Sequence, residues 1–167
     1  MESLSKFFVR THQTQPYNCF VIMPFDPELT VVYDLVIKPY VEQKGFICKR
    51  ADEIYSSRTI MGDIWTAIQQ AEIIIADMTK KSPNVMYELG LCHALWKKVI
   101  LLTQEKDDVP FDLKSSRLIM YDSSLPGAER LKTELGRMLE ALLQEEEVES
   151  TFVQFKRNVL RIFYLVF

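Results

Sequence analysis

Residues 72–102 read EIIIADMTKKSPNVMYELGLCHALWKKVILL, and this stretch decides the fold of the 167-residue chain. The β-branched run at 73–76 predicts a strand, and an unbroken apolar run of this kind is typical of a strand with both faces covered. Apolar residues at helical spacing predict a helix over 84–97. A second apolar run predicts a strand over 99–102. Strand, helix and strand in this order indicate a parallel sheet with crossover helices.

The same alternation continues on both sides of this stretch. The other predicted elements are strands at 19–23, 46–49 and 118–121 and helices at 29–44, 58–71 and 126–144. We expect Pro39 to kink or shorten the first helix and Gly45 to end it. Five strands and four helices predict a flavodoxin-like three-layer α/β sandwich, in which a five-stranded parallel sheet of order 2-1-3-4-5 has helices on both faces.

This predicted domain covers residues 18–145, after an N-terminal extension at 1–17. Residues 146–167 follow it, and two interpretations stay open: a C-terminal amphipathic helix, or a stub leading to a further domain. Apolar residues recur at helical spacing from Phe152 to Val166. Since an exposed stripe of this size is unusual on a soluble monomer, we expect it to be covered, most simply in a homodimer.

Composition excludes several classes of protein. Lys and Arg number 20 against 23 Asp and Glu, a net charge of −3, whereas proteins that bind a nucleic-acid polymer carry a basic surface. No apolar run approaches the roughly 20 residues of a membrane span. The first residues lack the apolar core of a signal peptide, so we expect a cytoplasmic protein that does not enter the membrane.

The sequence also lacks common metal and cofactor motifs. The three cysteines (Cys19, Cys48 and Cys92) form no CxxC pair, and the only two histidines lie far apart. We therefore expect buried, reduced thiols and no metal site. The five glycines form neither GxGxxG nor a P-loop, so we predict no bound cofactor of the kinds that use these loops.

A ligand of an open parallel sheet binds beyond the carboxyl ends of the strands, where the strand order reverses. In the predicted order this crevice lies between strands one and three. The loops that enter it supply polar and aromatic side chains: Phe25 and Asp26 after strand one, Arg50 and Asp52 after strand two, and residues 77–84 after strand three.

Glu88, on the helix that follows, is a candidate functional residue. Its apolar neighbours repeat at helical spacing: Val85, Leu89, Cys92 and Trp96. An ion on this side of a helix costs several kcal/mol unless it is paired. The structural alternative is that Glu88 is an acid stabilised by the helix dipole near the start of the helix. A capping box that starts at Asn84 would instead need the acid at position 87, which is Tyr87.

The run DIWTAIQQAEIIIADMTKKSPNVMYELGLCHALWKKVILL, residues 63–102, resembles the core of the nucleoside 2-deoxyribosyltransferase and nucleotide N-glycosidase family. The shared pattern is a helical Asp, an apolar strand that ends in an acid, a loop with Ser, and the sequence YELG. The stretches FVIMPF and NVMYELG also resemble bacterial TIR-like nucleotide-binding domains. In the first loop, MPFDPEL, this chain lacks the glycines of the transferases.

The resemblance implies roles for single residues. Glu88 matches the carboxylate that attacks the anomeric carbon and holds the sugar as an ester. Asp63 resembles the second acid, displaced by one residue, and the alternative is a solvated acid at the start of a helix. Asp77 is the third candidate acid, or a loop cap. Ser82 matches a phosphate-binding Ser, and it is also a suitable N-cap before Pro83.

The remaining candidates bind substrate. Phe25 is expected to stack on a base, Asp26 to bind sugar hydroxyls, and Asn84 to contact substrate at the helix start. Arg50 either neutralises a phosphate or pairs with a nearby acid, Asp52 or Glu53. The resemblance implies cleavage or transfer at the N-glycosidic bond of a nucleoside, nucleotide or NAD-like dinucleotide. The alternative is a non-catalytic TIR-like module for nucleotide binding, signalling or oligomerisation.

Overall fold

The computed structural model describes residues 11–54 and 59–144. The chain forms two compact units, residues 1–133 and residues 134–167. The first unit contains the sheet, and residues 134–144 of the second are helical. The predicted apolar stripe from Phe152 to Val166 lies outside the described residues, so its role stays a prediction, as do the domain boundaries.

The first unit is built on five parallel strands in the order β2-β1-β3-β4-β5, which confirms the predicted flavodoxin-like topology. The strands are β1 (Asn18–Ile22), β2 (Ile47–Arg50), β3 (Ile73–Asp77), β4 (Lys98–Thr103) and β5 (Leu118–Met120). All five residues of β3 are buried, because this strand is central and helices cover both faces of the sheet.

The segment after β1 is helical but interrupted. It consists of α1 (Pro27–Val32), a π-helical turn (Tyr33–Ile37) and α2 (Lys38–Gln43). Pro39 has no N–H to offer the preceding turn, and the Lys38 N–H bonds to the Tyr33 carbonyl across the wider π spacing. The segment continues through Pro39 to Gln43, so Pro39 does not shorten it, and the predicted kink stays a prediction. Gly45, with φ of 91°, ends α2 as expected.

The core on one face of the sheet lies under α3 (Ile60–Gln70) and α4 (Pro83–Ala94). Its buried members come from both helices and from alternate residues of β1 and β3: Phe20, Ile22, Ile64, Ile68, Ile74, Ala76, Val85, Leu89 and Cys92. Helix α5 begins at residue 125 and continues to the end of the first unit. The three cysteines are buried and free, as predicted.

Trp96 departs from the prediction that it extends the apolar stripe of α4. The helix ends at Ala94, and Trp96 adopts a left-handed φ of 55°. The Trp96 N–H bonds to the His93 carbonyl and the Lys97 N–H to the Cys92 carbonyl, which is the bonding pattern of a Schellman motif. This turn directs the indole outwards, and Trp96 is 94% exposed.

Within the described residues, no helix has both the length and the apolar character needed to cross a bilayer.

Candidate functional site

A cleft of about 460 Å³ lies at the carboxyl ends of β1 and β2, beside the first turns of α3 and α4. This is the position where the strand order reverses between β1 and β3. Its walls combine apolar side chains with a few polar ones, as is usual for small-molecule sites. The lining residues from the strand ends and from α4 include Met23, Pro24, Phe25, Arg50, Ser82, Asn84, Val85, Tyr87 and Glu88.

The structure brings five of the eight predicted site residues together in this cleft: Phe25, Arg50, Ser82, Asn84 and Glu88. The other three do not line it: Asp26, Asp63 and Asp77.

Glu88 lies in the second turn of α4 and is half-buried against the cleft. Burial raises the pKa of its carboxyl from 4.5 to about 7. Among the described residues, no hydrogen bond or ion pair reaches this side chain, so it does not cap the helix. A half-buried carboxylate without a partner is destabilising for the fold, and such groups concentrate at functional sites.

The start of α4 presents two further polar side chains to the cleft. Ser82 occupies the N-cap position and Pro83 follows it at the first helical position, but the Ser82 side chain makes no capping hydrogen bond. Its carbonyl accepts the Met86 N–H at 3.0 Å. Asn84 is exposed and lines the same wall. The Ser82 hydroxyl therefore does not serve the capping role that its position suggests.

Asp77 does not face the crevice, which corrects the prediction for this residue. It is fully buried at the end of β3. One carboxylate oxygen accepts hydrogen bonds from the Thr79 N–H (3.0 Å) and hydroxyl (2.5 Å), and the other accepts from the Tyr121 hydroxyl. Burial raises the pKa of Asp77, and these hydrogen bonds oppose the rise. Through these hydrogen bonds Asp77 links the loop after β3 to the segment after β5.

Asp63 also lies away from the cleft. It is buried on α3 and lines a separate cavity of about 250 Å³, beside Gln15 and Asn18. Its neighbours Met61 and Ile64 line the cleft instead. One residue is about 100° of rotation on a helix, so Asp63 and its neighbour Ile64 face different cavities.

Asp26 is the N-cap of α1. Its carboxylate accepts the Glu28 N–H at 3.0 Å and the Leu29 N–H at 3.4 Å. It also pairs with the Lys80 ammonium at 2.5 Å, and this contact lowers the pKa of Asp26. The ion pair joins the loop after β1 to the loop after β3.

Arg50 pairs with Asp52, which was one of the two alternatives predicted for it. Its Nε donates to Asp52 Oδ1 at 2.7 Å and its Nη2 to Asp52 Oδ2 at 2.5 Å. Glu53 pairs with Lys38 instead. The Arg50 guanidinium also lies over the ring of Phe25, which is 67% exposed at the cleft.

Tyr87 is a lining residue that the sequence analysis did not include. It is 49% exposed and shares the cleft wall with Asn84. Residues three apart on a helix lie on the same face, so the position of Asn84 predicts that Tyr87 lines the same wall. The apolar wall from α3, formed by Ile60, Met61 and Ile64, has no comparable signal because its residues also fit a core pattern.

Among residues 11–54 and 59–144, no group of three or more His, Cys, Asp or Glu side chains is placed to hold a metal ion.

The fold has relatives of known structure, although no family model and no curated protein matches the chain. The CMP N-glycosidase BcmB of Clostridium botulinum is similar with a TM-score of 0.56 and 17% sequence identity, over 71% of this chain and 98% of that one. A 2-deoxyribosyltransferase from Leishmania mexicana has a TM-score of 0.46 and 18% identity, over 54% of this chain and 66% of that one. The match thus spans less than two thirds of the Leishmania enzyme.

The similarity to the glycosidase establishes a shared fold. The chain has the α/β architecture on which that enzyme is built. The predicted resemblance to TIR-like domains is not tested by these comparisons and stays a prediction.

Proposed function

We propose that this chain binds a nucleoside, nucleotide or NAD-like dinucleotide in the cleft and cleaves or transfers at its N-glycosidic bond, with Glu88 as the nucleophile. The observation that carries the proposal is the half-buried Glu88 carboxylate, which faces the cleft without a polar partner. The fold shared with a CMP N-glycosidase is consistent with it.

In the proposed first step, a Glu88 oxygen attacks the anomeric carbon as the bond from that carbon to the base nitrogen breaks. The electron pair of that bond leaves with the base. A purine or pyrimidine then takes a proton from solvent, whereas the pyridinium of an NAD-like substrate leaves as a neutral base and needs none. In the second step the oxygen of water, or the nitrogen of a second base, attacks the same carbon and releases the carboxylate. Water gives hydrolysis and loses a proton to solvent, whereas a second base gives transfer.

Two groups of residues are proposed to hold the substrate. The exposed ring of Phe25 offers a surface on which a base can stack. Ser82 and Asn84 offer polar contacts to the sugar or to a phosphate at the start of α4, where the helix dipole favours an anion. The proposal gives Asp63 and Asp77 no direct contact with substrate, since neither lines the cleft.

The test is a panel of nucleosides, nucleoside monophosphates and NAD, with the released base measured by chromatography. We expect Glu88→Gln to lower base release by at least about 10³-fold, because binding alone cannot replace a nucleophile. Glu105→Gln is the matched control, since Glu105 is exposed and does not line the cleft. The wild-type rate should rise with pH as Glu88 ionises near pH 7.

A second candidate function is binding without catalysis, as in a nucleotide-sensing module. It is favoured by the observation that Glu88 is the only carboxylate among the described residues that line the cleft. The same panel separates the two functions. Saturable binding with no base release from any member supports the sensing module, and base release that Glu88→Gln abolishes supports the enzyme.

A further inference from the structure

The guanidinium of Arg50 is a buried cation at the edge of the cleft. Arg50 is the last residue of β2 and is 5% exposed. Beyond its two bonds to Asp52, its Nη1 donates to the Thr30 hydroxyl at 3.2 Å and lies 3.7 Å from the Met23 sulfur. Bonds to these fixed partners leave Arg50 little capacity to bind a phosphate.

The same guanidinium lies over two aromatic rings. Its Cζ lies 4.7 Å from the centroid of the Tyr33 ring and 5.7 Å from that of Phe25. Tyr33 is fully buried, whereas Phe25 is exposed at the cleft. Arg50 therefore connects a fixed ring in the core with a ring that a ligand can reach. Contacts between a guanidinium and an aromatic ring are favourable at these distances.

We infer that Arg50 is a positioning residue: it holds the Phe25 ring as the platform for the base and does not bind a substrate phosphate. The inference rests on the proposed function, in which a base enters this cleft. It assigns Arg50 the same effect on a nucleoside and on its 5′-monophosphate, because both stack the same base on Phe25. A phosphate ligand would affect the monophosphate alone.

Arg50→Lys separates these two roles. Lysine keeps the positive charge that a phosphate requires, but it loses the bidentate pair with Asp52 and the guanidinium contact with Phe25. Binding would be measured by calorimetry in Glu88→Gln protein, with adenosine against AMP and cytidine against CMP, so that turnover cannot interfere. We expect Arg50→Lys to weaken both members of a pair by a similar factor, about 5-fold. Loss confined to the monophosphates would overturn the inference.

A double-mutant cycle tests whether Arg50 acts through Phe25. Phe25→Leu alone should weaken both members of a pair by about 10-fold, the loss of one stacked ring. In the Phe25→Leu background, Arg50→Lys should have almost no further effect. Additive losses would show that Arg50 contacts the ligand directly, and the inference would be wrong.

Asp52→Asn keeps the argument testable if Arg50→Lys does not fold. This change leaves Arg50 in place and removes the charge that holds it. Positioning predicts weaker binding of both members of a pair, because the support of Phe25 loosens. A phosphate-binding role predicts tighter binding of the monophosphate, since the guanidinium is released. The two roles thus give opposite directions.

A measurement without ligand distinguishes failure of this inference from failure of the proposed function. 4-Fluorophenylalanine incorporated at position 25 gives one ¹⁹F resonance. We expect Arg50→Lys to move it towards the shift of the unfolded protein, with the thermal midpoint as a check on folding. If the resonance moves but no nucleoside binds, the contact stands and the proposed function fails. If the resonance does not move in a folded variant, Arg50 does not hold Phe25.

Discussion

Glu88→Gln should make the protein more stable above neutral pH, even though it removes the proposed catalytic group. Burial raises the pKa of Glu88 from 4.5 to about 7, so the folded protein holds this proton more tightly than the unfolded chain does. The stability that results is complete below about pH 4.5 and is lost as the pH rises through about 7. Glutamine resembles the protonated acid and does not ionise, so the stability of Glu88→Gln does not fall over this pH range.

The size of the effect follows from the shift in pKa. A rise of about 2.5 in pKa, at about 1.36 kcal/mol for each unit, corresponds to about 3 kcal/mol. This is an upper value, because solvent at the cleft screens the half-buried carboxylate. With a urea m-value of about 2 kcal/mol/M, the midpoint of Glu88→Gln should exceed that of the wild type by up to about 1.5 M near pH 8.

The assay is urea unfolding of wild type, Glu88→Gln and Glu105→Gln, followed by circular dichroism near pH 5 and near pH 8. The difference between Glu88→Gln and wild type should be small near pH 5 and large near pH 8. The control should show no such change, since Glu105 is exposed. A Glu88→Gln protein that is less stable than wild type near pH 8 would refute the reasoning and make Glu88 a structural residue.

Three further predictions concern stability, metal ions and assembly. Asp77→Ala should lower the free energy of unfolding by about 3 kcal/mol, because it leaves the buried Thr79 and Tyr121 donors without an acceptor, and Asp77→Asn should lower it by less. Urea unfolding measures both variants, and stabilities equal to that of the wild type would contradict the role of this network. Base release should be unchanged by EDTA, and loss with recovery on adding a divalent ion would count against Glu88 as nucleophile. If the chain is a dimer, deletion of residues 151–167 should make it a monomer in light scattering. A chain that keeps these residues and is already monomeric would exclude dimerisation through this segment.

The sheet was predictable because its signals are local. The apolar run at 73–76 and the alternation of short and long apolar segments predict parallel strands joined by helices, and the strand order follows from the doubly wound fold of which this alternation is typical. Gly45 carries equally local information about where a helix ends. Trp96 was misleading, because its helical spacing predicts a continued helix. In the structure it stands in a Schellman turn, at the left-handed position where glycine is usual.

The site was less predictable, because directions of side chains depend on distant residues. The carboxylate of Asp77 is turned away from the crevice by a hydrogen bond from Tyr121, which lies 44 residues further along the chain. Of the two acids near Arg50, Asp52 pairs with it and Glu53 pairs with Lys38, which lies 15 residues before Glu53 in the chain. The position of Glu88 at the cleft was predictable because it depends on one helix, which determines both its spacing and its apolar neighbours, whereas its catalytic role stays a prediction.

The ion pair between Asp26 and Lys80 joins two loops beside the cleft, and its strength should depend on ionic strength. The pair joins the loop after β1 to the loop after β3, and Phe25 and Ser82 from these two loops line the cleft. Lys80 is about half exposed, so dissolved salt screens the attraction between the loops. Affinity for an uncharged nucleoside should therefore fall as salt is added. Salt dependence at this site is for that reason no evidence of a contact with phosphate.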